Sequence, residues 1–254
     1  MSSIAERRKY IIDKIKEQGF VKVAELSEFF GVTQTTIRKD LTFLENQGVL
    51  YRAYGSAITS SAPVLDINLN AKRLIHLEEK QRIARRAAEF ITENDSIMIS
   101  AGSTMAVFSE NIRPIGRLSV VTPAVNVSSQ LGDLQNVTVM QLGGILYGNS
   151  MCVIGGDTLS QLQNLHCSKL FFGVDGVDPE IGFTCATYEE AAMTHKMMEQ
   201  CATVIVLADS SKIGFANFGH ICHVSEVDYF ITDDGITPEQ RKSLEDNGVR
   251  VILV

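Results

Sequence analysis

The chain has 254 residues, 45% of them apolar, with 23 basic against 30 acidic side chains and a formal charge of −7. That length and apolar content support more than one domain, and no apolar run approaches about 18 residues, so the sequence predicts no membrane span, no signal peptide and a cytoplasmic location. Five cysteines (Cys152, Cys167, Cys185, Cys201, Cys222) are odd in number, widely spaced and mostly inside apolar segments, which argues against a disulfide framework and a CxxC-type zinc site; they read as reduced core residues, and no metal or cofactor is expected.

An opening helix from about Ile4 to Gln18 is apolar at Ile4, Ile11, Ile12 and Ile15. Leu26, Phe29 and Phe30 fall at i, i+3, i+4, which predicts a short helix from about Ala24 to Phe30 with one apolar face, stopped by Gly31. Thr33 is a good N-cap, and Ile37, Leu41 and Leu44 give a second helix with a single buried stripe. Its other faces carry Gln34, Thr35, Arg38, Lys39 and Thr42. Two helices joined by a tight glycine-containing turn, the second opening with polar and cationic residues, have the geometry of a helix-turn-helix, whose side chains reach base edges. Gly48 ends the second helix. Val49 to Gly55 then alternates and turns like a β-hairpin wing, placing Arg52 where a phosphate would lie. The candidate DNA-binding residues are Thr33, Gln34, Thr35, Thr36, Arg38, Lys39, Arg52 and Tyr54.

The string also resembles the N-terminal winged helix of the DeoR family of bacterial transcriptional regulators. The likeness is carried by Arg7-Arg8, Ile11-Ile12, Gly19, Val21, Val23, Glu25-Leu26, Phe30, Val32-Thr33, Thr36 to Leu41, Leu44-Glu45, Gly48, Arg52 and Tyr54-Gly55. Ser56 departs, where the family usually has a second glycine.

The negative total is segregated. Residues 1–57 hold nine Lys or Arg against seven Asp or Glu, a balance of +2, so the remainder carries −7 − 2 = −9. Phosphate neutralisation depends on local charge, so a slightly basic head on an acidic body is compatible with DNA binding. A head this weakly basic binds poorly alone, which points to a homo-oligomer, dimer or tetramer, presenting several heads to repeated half-sites.

Residues 58–75 read as a linker or hinge, leaving a head of 1–57 and a body of 76–254. A helix across Gln81–Ile91 follows, and its basic residues Lys80, Arg82, Arg85 and Arg86 read as a solvated face rather than as contacts to DNA or a sister subunit. From there strands are expected at 96–100, 118–121, 137–142, 169–173, 203–208, 228–232 and 249–254, with helices between most of them. Continuous Val, Ile and Leu runs alternating with helices indicate a Rossmann-like, mostly parallel α/β sheet covered on both faces, whose ligands bind beyond the carboxyl ends of the strands. Near the end of the chain, Thr237-Pro238-Glu239 is a sound helix start.

Three strand-end loops draw attention. Ala101-Gly102-Ser103-Thr104-Met105 offers helix N-terminal amides and hydroxyls suited to a phosphate, although such a loop also serves as a turn and N-cap. Gly173 to Asp178 places two acids three residues apart, and Ala208-Asp209-Ser210-Ser211-Lys212 ends a strand with a lysine; each can equally be structural. Together, in this order, they resemble the sugar-sensing domain of the DeoR family and, behind it, ribose-5-phosphate isomerase. The resemblance implies that Gly102, Ser103, Thr104 and Lys212 cradle a phosphate, with Asp175 and Gly176 near sugar hydroxyls. Glu190 and Lys196 match family positions, Glu190 being the better pocket candidate; Asn126 is retained, and Gly144 and Tyr147 complete the effector-binding set.

Catalysis is not expected. Aldose–ketose isomerisation needs a carboxylate base and a cation or acid for the enediolate oxygen. The isomerases supply these from a Lys-Gly-Gly-Gly stretch and a downstream glutamate, whereas here Pro179 to Ala186 has neither lysine nor glycine run and the glutamate position falls on Thr194. The chain also departs from the sensor family: Ser100 replaces a common aspartate, Pro123 an asparagine and Tyr147 an arginine, which alters what the pocket can pair and leaves the effector a sugar or sugar phosphate. The expected function is a repressor that binds double-stranded operator DNA and is released by that effector. An isomerase with an accessory domain would reveal itself by turnover of ribose 5-phosphate. A DNA-independent interaction protein would keep its activity without Arg38 and Lys39.

Overall fold

The structure, a computed structural model, describes residues 4–18, 20–46, 50–53, 56–59 and 69–254, with side chains for 4–15, 21–44 and 69–254. It divides into two units, Met1–Leu77 and Glu78–Val254.

In the first unit, α1 (Ile4–Gln18), α2 (Val23–Phe30) and α3 (Gln34–Asn46) enclose a core of Ile11, Ile15, Val21, Val23, Leu26, Ile37, Leu41 and Leu44. Gly31 ends α2 in the left-handed conformation, φ 61°, and its N–H returns to the Glu28 carbonyl; only glycine enters that region without steric cost. Two apolar residues expected inside lie outside: Ile4 is 57% and Phe29 60% exposed. A two-turn helix presents one narrow stripe inward, here filled by Val23 and Leu26, and Phe29 stacks instead on Tyr10 with centroids 4.6 Å apart. The wing is a three-stranded sheet in the order β1 (Phe20–Lys22), β3 (Ser56–Thr59), β2 (Leu50–Ala53). Ala53 of β2 pairs with Ser56 of β3. Arg52 sits on β2 opposite Ala57. Gly48, Tyr54 and the Arg52 side chain lie outside what is described.

The wing strand continues to Thr59, and α4 (Leu69–Leu74) occupies part of the stretch read as a linker. Its six residues are too few for a periodic signal, although Leu69 and Ala71 are buried. His76, at φ 50°, separates it from α5 (Leu77–Ala88). The basic face assigned to α5 is partly structural: Lys80 is buried, and Arg82 donates to the Val254 carbonyl at 3.0 Å and to Asp234 at 3.1 Å.

The second unit is built on seven parallel strands. They are β4 (Ser96–Ile99), β5 (Leu118–Thr122), β6 (Val137–Gln141), β9 (Cys167–Phe172), β12 (Cys201–Leu207), β14 (Tyr229–Thr232) and β15 (Arg250–Leu253), in the spatial order 15-14-12-9-4-5-6. Central positions such as Ile97, Met98, Ile99, Leu170, Phe171 and Phe172 are fully buried, as two-sided coverage requires. Besides α5, the α-helices of this unit are α6 (Ser103–Asn111), α7 (Val125–Gly132), α8 (Gly156–Leu162), α9 (Tyr188–Met198) and α10 (Pro238–Asp246). Thr237 and Gln240 cap α10 reciprocally. Two small antiparallel elements escape the sequence reading because their strands are three or four residues long: the hairpin β7 (Ile145–Tyr147) and β8 (Cys152–Ile154), and a sheet of β10 (Gly176–Asp178), β11 (Gly182–Cys185) and β13 (Gly219–Cys222).

The chain leaves β4 toward β5 and β6 on one side, then returns to β9 on the other. The topological switch point therefore falls between β4 and β9, where crevices for ligands form at carboxyl ends.

Candidate functional site

On α3 the buried stripe fixes which residues face outward. With Ile37, Leu41 and Leu44 inside, Thr33, Gln34, Thr35, Arg38 and Lys39 are exposed, while Thr36 and Thr42 are half-buried. Thr33 Oγ1 accepts the Thr36 amide at 3.2 Å, the expected N-cap bond, and Arg38 donates to Gln34 Oε1 at 3.2 Å. One turn further, Asp40 is buried and accepts Arg7 Nε at 2.5 Å and Arg8 Nε at 2.9 Å. The helix thus has an acid bonded to α1 and two cations pointing to solvent. Asp40 is a positioning residue that periodicity alone does not reveal.

At the carboxyl edge of the large sheet, β4, β9 and β12 are consecutive, so the loops that follow them lie side by side across about 10 Å, two strand spacings. Contacts confirm the adjacency. The Ser100 amide donates to the Phe171 carbonyl at 3.0 Å, and a Cβ placed on Gly173 would lie 3.8 Å from the Leu207 carbonyl and 4.0 Å from Met105 Cε. In the first loop Gly102 has φ 123° and ψ 165°, a conformation open essentially to glycine. As the N-cap of α6 it brings no side chain to the first-turn amides, which leaves N–H groups of Ser103 and Thr104 without capping acceptors. Ser100 is buried and bonds locally to the Ala101 carbonyl.

Lys212 ends a single 3-10 turn, Ser210–Lys212. That turn is held from the neighbouring strand by Asp233, whose carboxylate accepts the Ser210 amide at 2.7 Å, the Ser210 hydroxyl at 2.8 Å and the Gly235 amide at 3.0 Å. Burial opposes the charge of Asp233, yet these hydrogen bonds prevail and hold its carboxyl below the usual range. Asp233 was not among the candidate residues; the Asp-Asp-Gly at the end of β14 was its only signal. The Gly214 amide donates to the Val177 carbonyl at 2.8 Å, which seats the lysine turn beside β10 and the acidic loop.

In the acidic loop Asp175 is half-buried and its amide donates to Thr184. Gly176 is buried, and a Cβ there would meet the Phe215 carbonyl and Thr184 Oγ1, both at 2.6 Å. Its contribution is close backbone packing. Asp178 accepts the amides of Glu180 and Ile181, a turn-forming role.

The remaining candidates gather around the β7–β8 hairpin. Its second strand joins the loop after β5: Val153 N–H donates to the Pro123 carbonyl and Val125 N–H to the Met151 carbonyl, each at 2.9 Å. Asn126 Oδ1, Gln141 Oε1 and Ser150 Oγ are buried there without a hydrogen-bond partner among the described residues. Tyr147 pairs with Cys152 across the hairpin and is 53% exposed. Glu190, in the first turn of α9 under the Thr187 cap, lies close enough to Cys152 that its charge adds to the burial raising that thiol. Gly144 packs against α8, where Thr158 and Gln161 bond the Gly143 carbonyl at 2.8 and 3.1 Å. Lys196 pairs with Glu199 at 2.5 Å, away from the loops. Thr194, where the isomerases have their glutamate, is buried in α9.

A winged helix-turn-helix followed in the chain by a parallel α/β unit with three adjacent strand-end loops at its switch point defines a class: DNA-binding regulators that carry their own sensor domain. Residues 7–62 match the DeoR-like helix-turn-helix domain and residues 75–234 the DeoR C terminal sensor domain. The chain belongs to the DeoR family and is a DNA-binding transcriptional regulator, not an enzyme. It is 33% identical over 256 residues to a putative aga operon transcriptional repressor of Escherichia coli O157:H7, covering 100% of this chain and 95% of that protein. It is 29% identical over 228 residues to the glycerol-3-phosphate regulon repressor of Escherichia coli K12, covering 90% of each. Among solved structures, a D-ribose-5-phosphate isomerase in complex with phospho-erythronic acid is similar with a TM-score of 0.39 and 19% identity, covering 54% of each chain. No helix among the described residues is long and apolar enough to cross a membrane.

Proposed function

We propose that the protein is a cytoplasmic repressor of a sugar or sugar-alcohol catabolic operon, and that a sugar or sugar-phosphate effector releases it from operator DNA. The observation that carries this reading is the pairing, in one chain, of an outward Gln34, Thr35, Arg38 and Lys39 face with three adjacent strand-end loops. The uncapped start of α6 and Lys212 suit one anionic group. Asp175, Asn126 and the unpartnered acceptors near the hairpin suit hydroxyls, which donate to such oxygens. Two relatives, a putative repressor of the aga operon and the repressor of the glycerol-3-phosphate regulon, support the same reading.

Thr33, Thr36, Arg52 and Tyr54 join the DNA contacts in this scheme, and Gly144, Tyr147 and Glu190 the effector contacts. The protein works as a homo-oligomer, because heads of modest charge gain affinity by engaging repeated half-sites together. DNA and effector favour different arrangements of head and body, since a ligand shifts an equilibrium only through differential affinity. A gel-shift titration on the DNA upstream of the protein's own gene, repeated with a panel of sugars, sugar alcohols and their phosphates, tests it. Retarded DNA released by one member is expected; binding indifferent to every member rules out relief by that class.

A further inference from the structure

Four of the five cysteines fall into two situations. Cys152 and Cys222 are fully buried, and burial pushes their thiols up, with Glu190 and Glu226 respectively adding to the effect. Cys167 and Cys201 instead face each other. Cys167 opens β9, Cys201 opens β12, and the two are register partners on the first rung of that parallel pair. The Cys167 amide donates to the Gln200 carbonyl at 2.8 Å, so the backbones are in direct contact there. Partners on a parallel rung send their side chains to one face, and both residues pack on the same apolar cluster. Neighbouring strands are about 4.8 Å apart, inside the Cα window of about 4.4–6.8 Å that a disulfide requires.

The two thiols are also hydrogen-bonded. The bond from Cys201 pulls the Cys167 thiol below its ordinary range against the effect of burial, and Ser96 adds to the pull. The same contact, with burial and the charge on Cys167, holds the Cys201 proton on its sulfur. Two thiols on one rung, one lowered by the contact and the other raised by it, have the arrangement of an attacking and a resolving cysteine.

We propose that Cys167 and Cys201 are a modification site, closing to a reversible intrachain disulfide in response to oxidants of the peroxide class. Cys201 is the less buried of the two and gives access from the amino-terminal edge of the sheet. The Cys167 thiolate attacks one peroxide oxygen; the O–O bond breaks, hydroxide leaves and is protonated to water, and Cys167 becomes a sulfenic acid. The Cys201 sulfur then attacks the Cys167 sulfur, the S–O bond breaks, and hydroxide departs with the Cys201 proton as a second water. The two thiols together lose two electrons and peroxide gains two. A thiol such as glutathione reopens the bridge by attack at Cys201, the less buried sulfur. The bridge lies at the sheet edge opposite the candidate effector loops, so it modifies the sensor unit without occupying them.

The test is to treat the full-length native protein with hydrogen peroxide, alkylate the remaining thiols after unfolding, and map cross-linked peptides by mass spectrometry. An intrachain link between the Cys167 and Cys201 peptides, reversed by reduced glutathione, with Cys152 and Cys222 still alkylated, is the expected result. In Cys201→Ser a dimedone adduct should accumulate on Cys167, and in Cys167→Ser none should form on Cys201. Five alkylatable thiols after oxidation, a link to another cysteine, or a link between two chains overturns the proposal. If Cys201→Ser does not fold, the peptide map of the unmutated protein decides the question by itself.

Discussion

Arg7 Nε and Asp40 Oδ2 meet at 2.5 Å with side chains only 8% and 3% exposed, and Arg8 takes the other Asp40 oxygen while its guanidinium lies 3.7 Å from the centre of the Phe43 ring. A single carboxylate on α3 thus fixes the helix against α1 through both arginines. Breaking a buried pair by removing one partner strands the other charge, so Asp40→Asn should destabilise the head by about 3–5 kcal/mol. Urea unfolding followed by a probe in the head measures the loss, and a midpoint equal to that of the unmutated protein would refute the clamp.

Arg38 and Lys39 make the opposite prediction. Both are exposed on α3, so replacing them with alanine should leave unfolding within about 0.5 kcal/mol of the original. Operator affinity should fall by about 1–3 kcal/mol for a base contact, and the salt dependence should flatten by about one unit for a phosphate contact. Fluorescence anisotropy at several salt concentrations separates the two contributions.

The amino-terminal edge of the sheet supplies a pH dependence. Asp95 is buried, which works against its charge, but it accepts Lys169 Nζ at 2.5 Å, the Thr92 amide at 2.8 Å and the Ser168 hydroxyl at 2.8 Å, and its carboxyl is held below the usual range. A carboxyl lowered on folding stabilises fully above its unfolded pKa of about 3.9 and loses that contribution as pH falls through the lower folded value. Asp95→Asn should therefore destabilise at pH 7 and flatten the stability profile at the acid end. Thermal unfolding from pH 7 to pH 3 gives both curves, and parallel curves would exclude Asp95 as the cause.

Two glycines near the loops should fail for different reasons. A Cβ on Gly144 would lie 2.2 Å from Thr158 Oγ1 and 2.8 Å from the Ile154 carbonyl, so Gly144→Ala should cost about 1–3 kcal/mol through overpacking of the hairpin. Around Gly102 there is room for a Cβ, but its φ of 123° is the obstacle. Gly102→Ala should turn the first amides of α6 aside, at a strain cost of about 1–3 kcal/mol, and weaken the effector response more than the fold. Effector-dependent gel shifts beside melting curves distinguish the pair.

Much of this molecule was legible in one dimension because its elements are long or sharply punctuated. The Ile37, Leu41, Leu44 stripe, the left-handed Gly31 and the seven Val-, Ile- and Leu-rich strands all follow from periodicity and turn chemistry acting locally. Phe29 was misplaced because spacing cannot tell a core residue from one at the rim of a two-turn helix. The β7–β8 hairpin and the β10–β11–β13 sheet were invisible because strands of three or four residues carry almost no alternation. Asp40, Asp233 and the Cys167–Cys201 rung were missed for another reason: each draws its meaning from a partner at least 23 residues away in the chain.

Asp233 is followed directly by Asp234, which Arg82 holds, and Arg82 also grips the Val254 carbonyl. A ligand that displaces the Asp209–Lys212 turn must either break the Ser210 bonds to Asp233 or drag that carboxylate along. In the second case Asp234, the next residue, shifts against Arg82, whose guanidinium also holds the Val254 carbonyl. Two adjacent aspartates therefore join the turn that carries Lys212 to the last residue of the chain by way of one arginine.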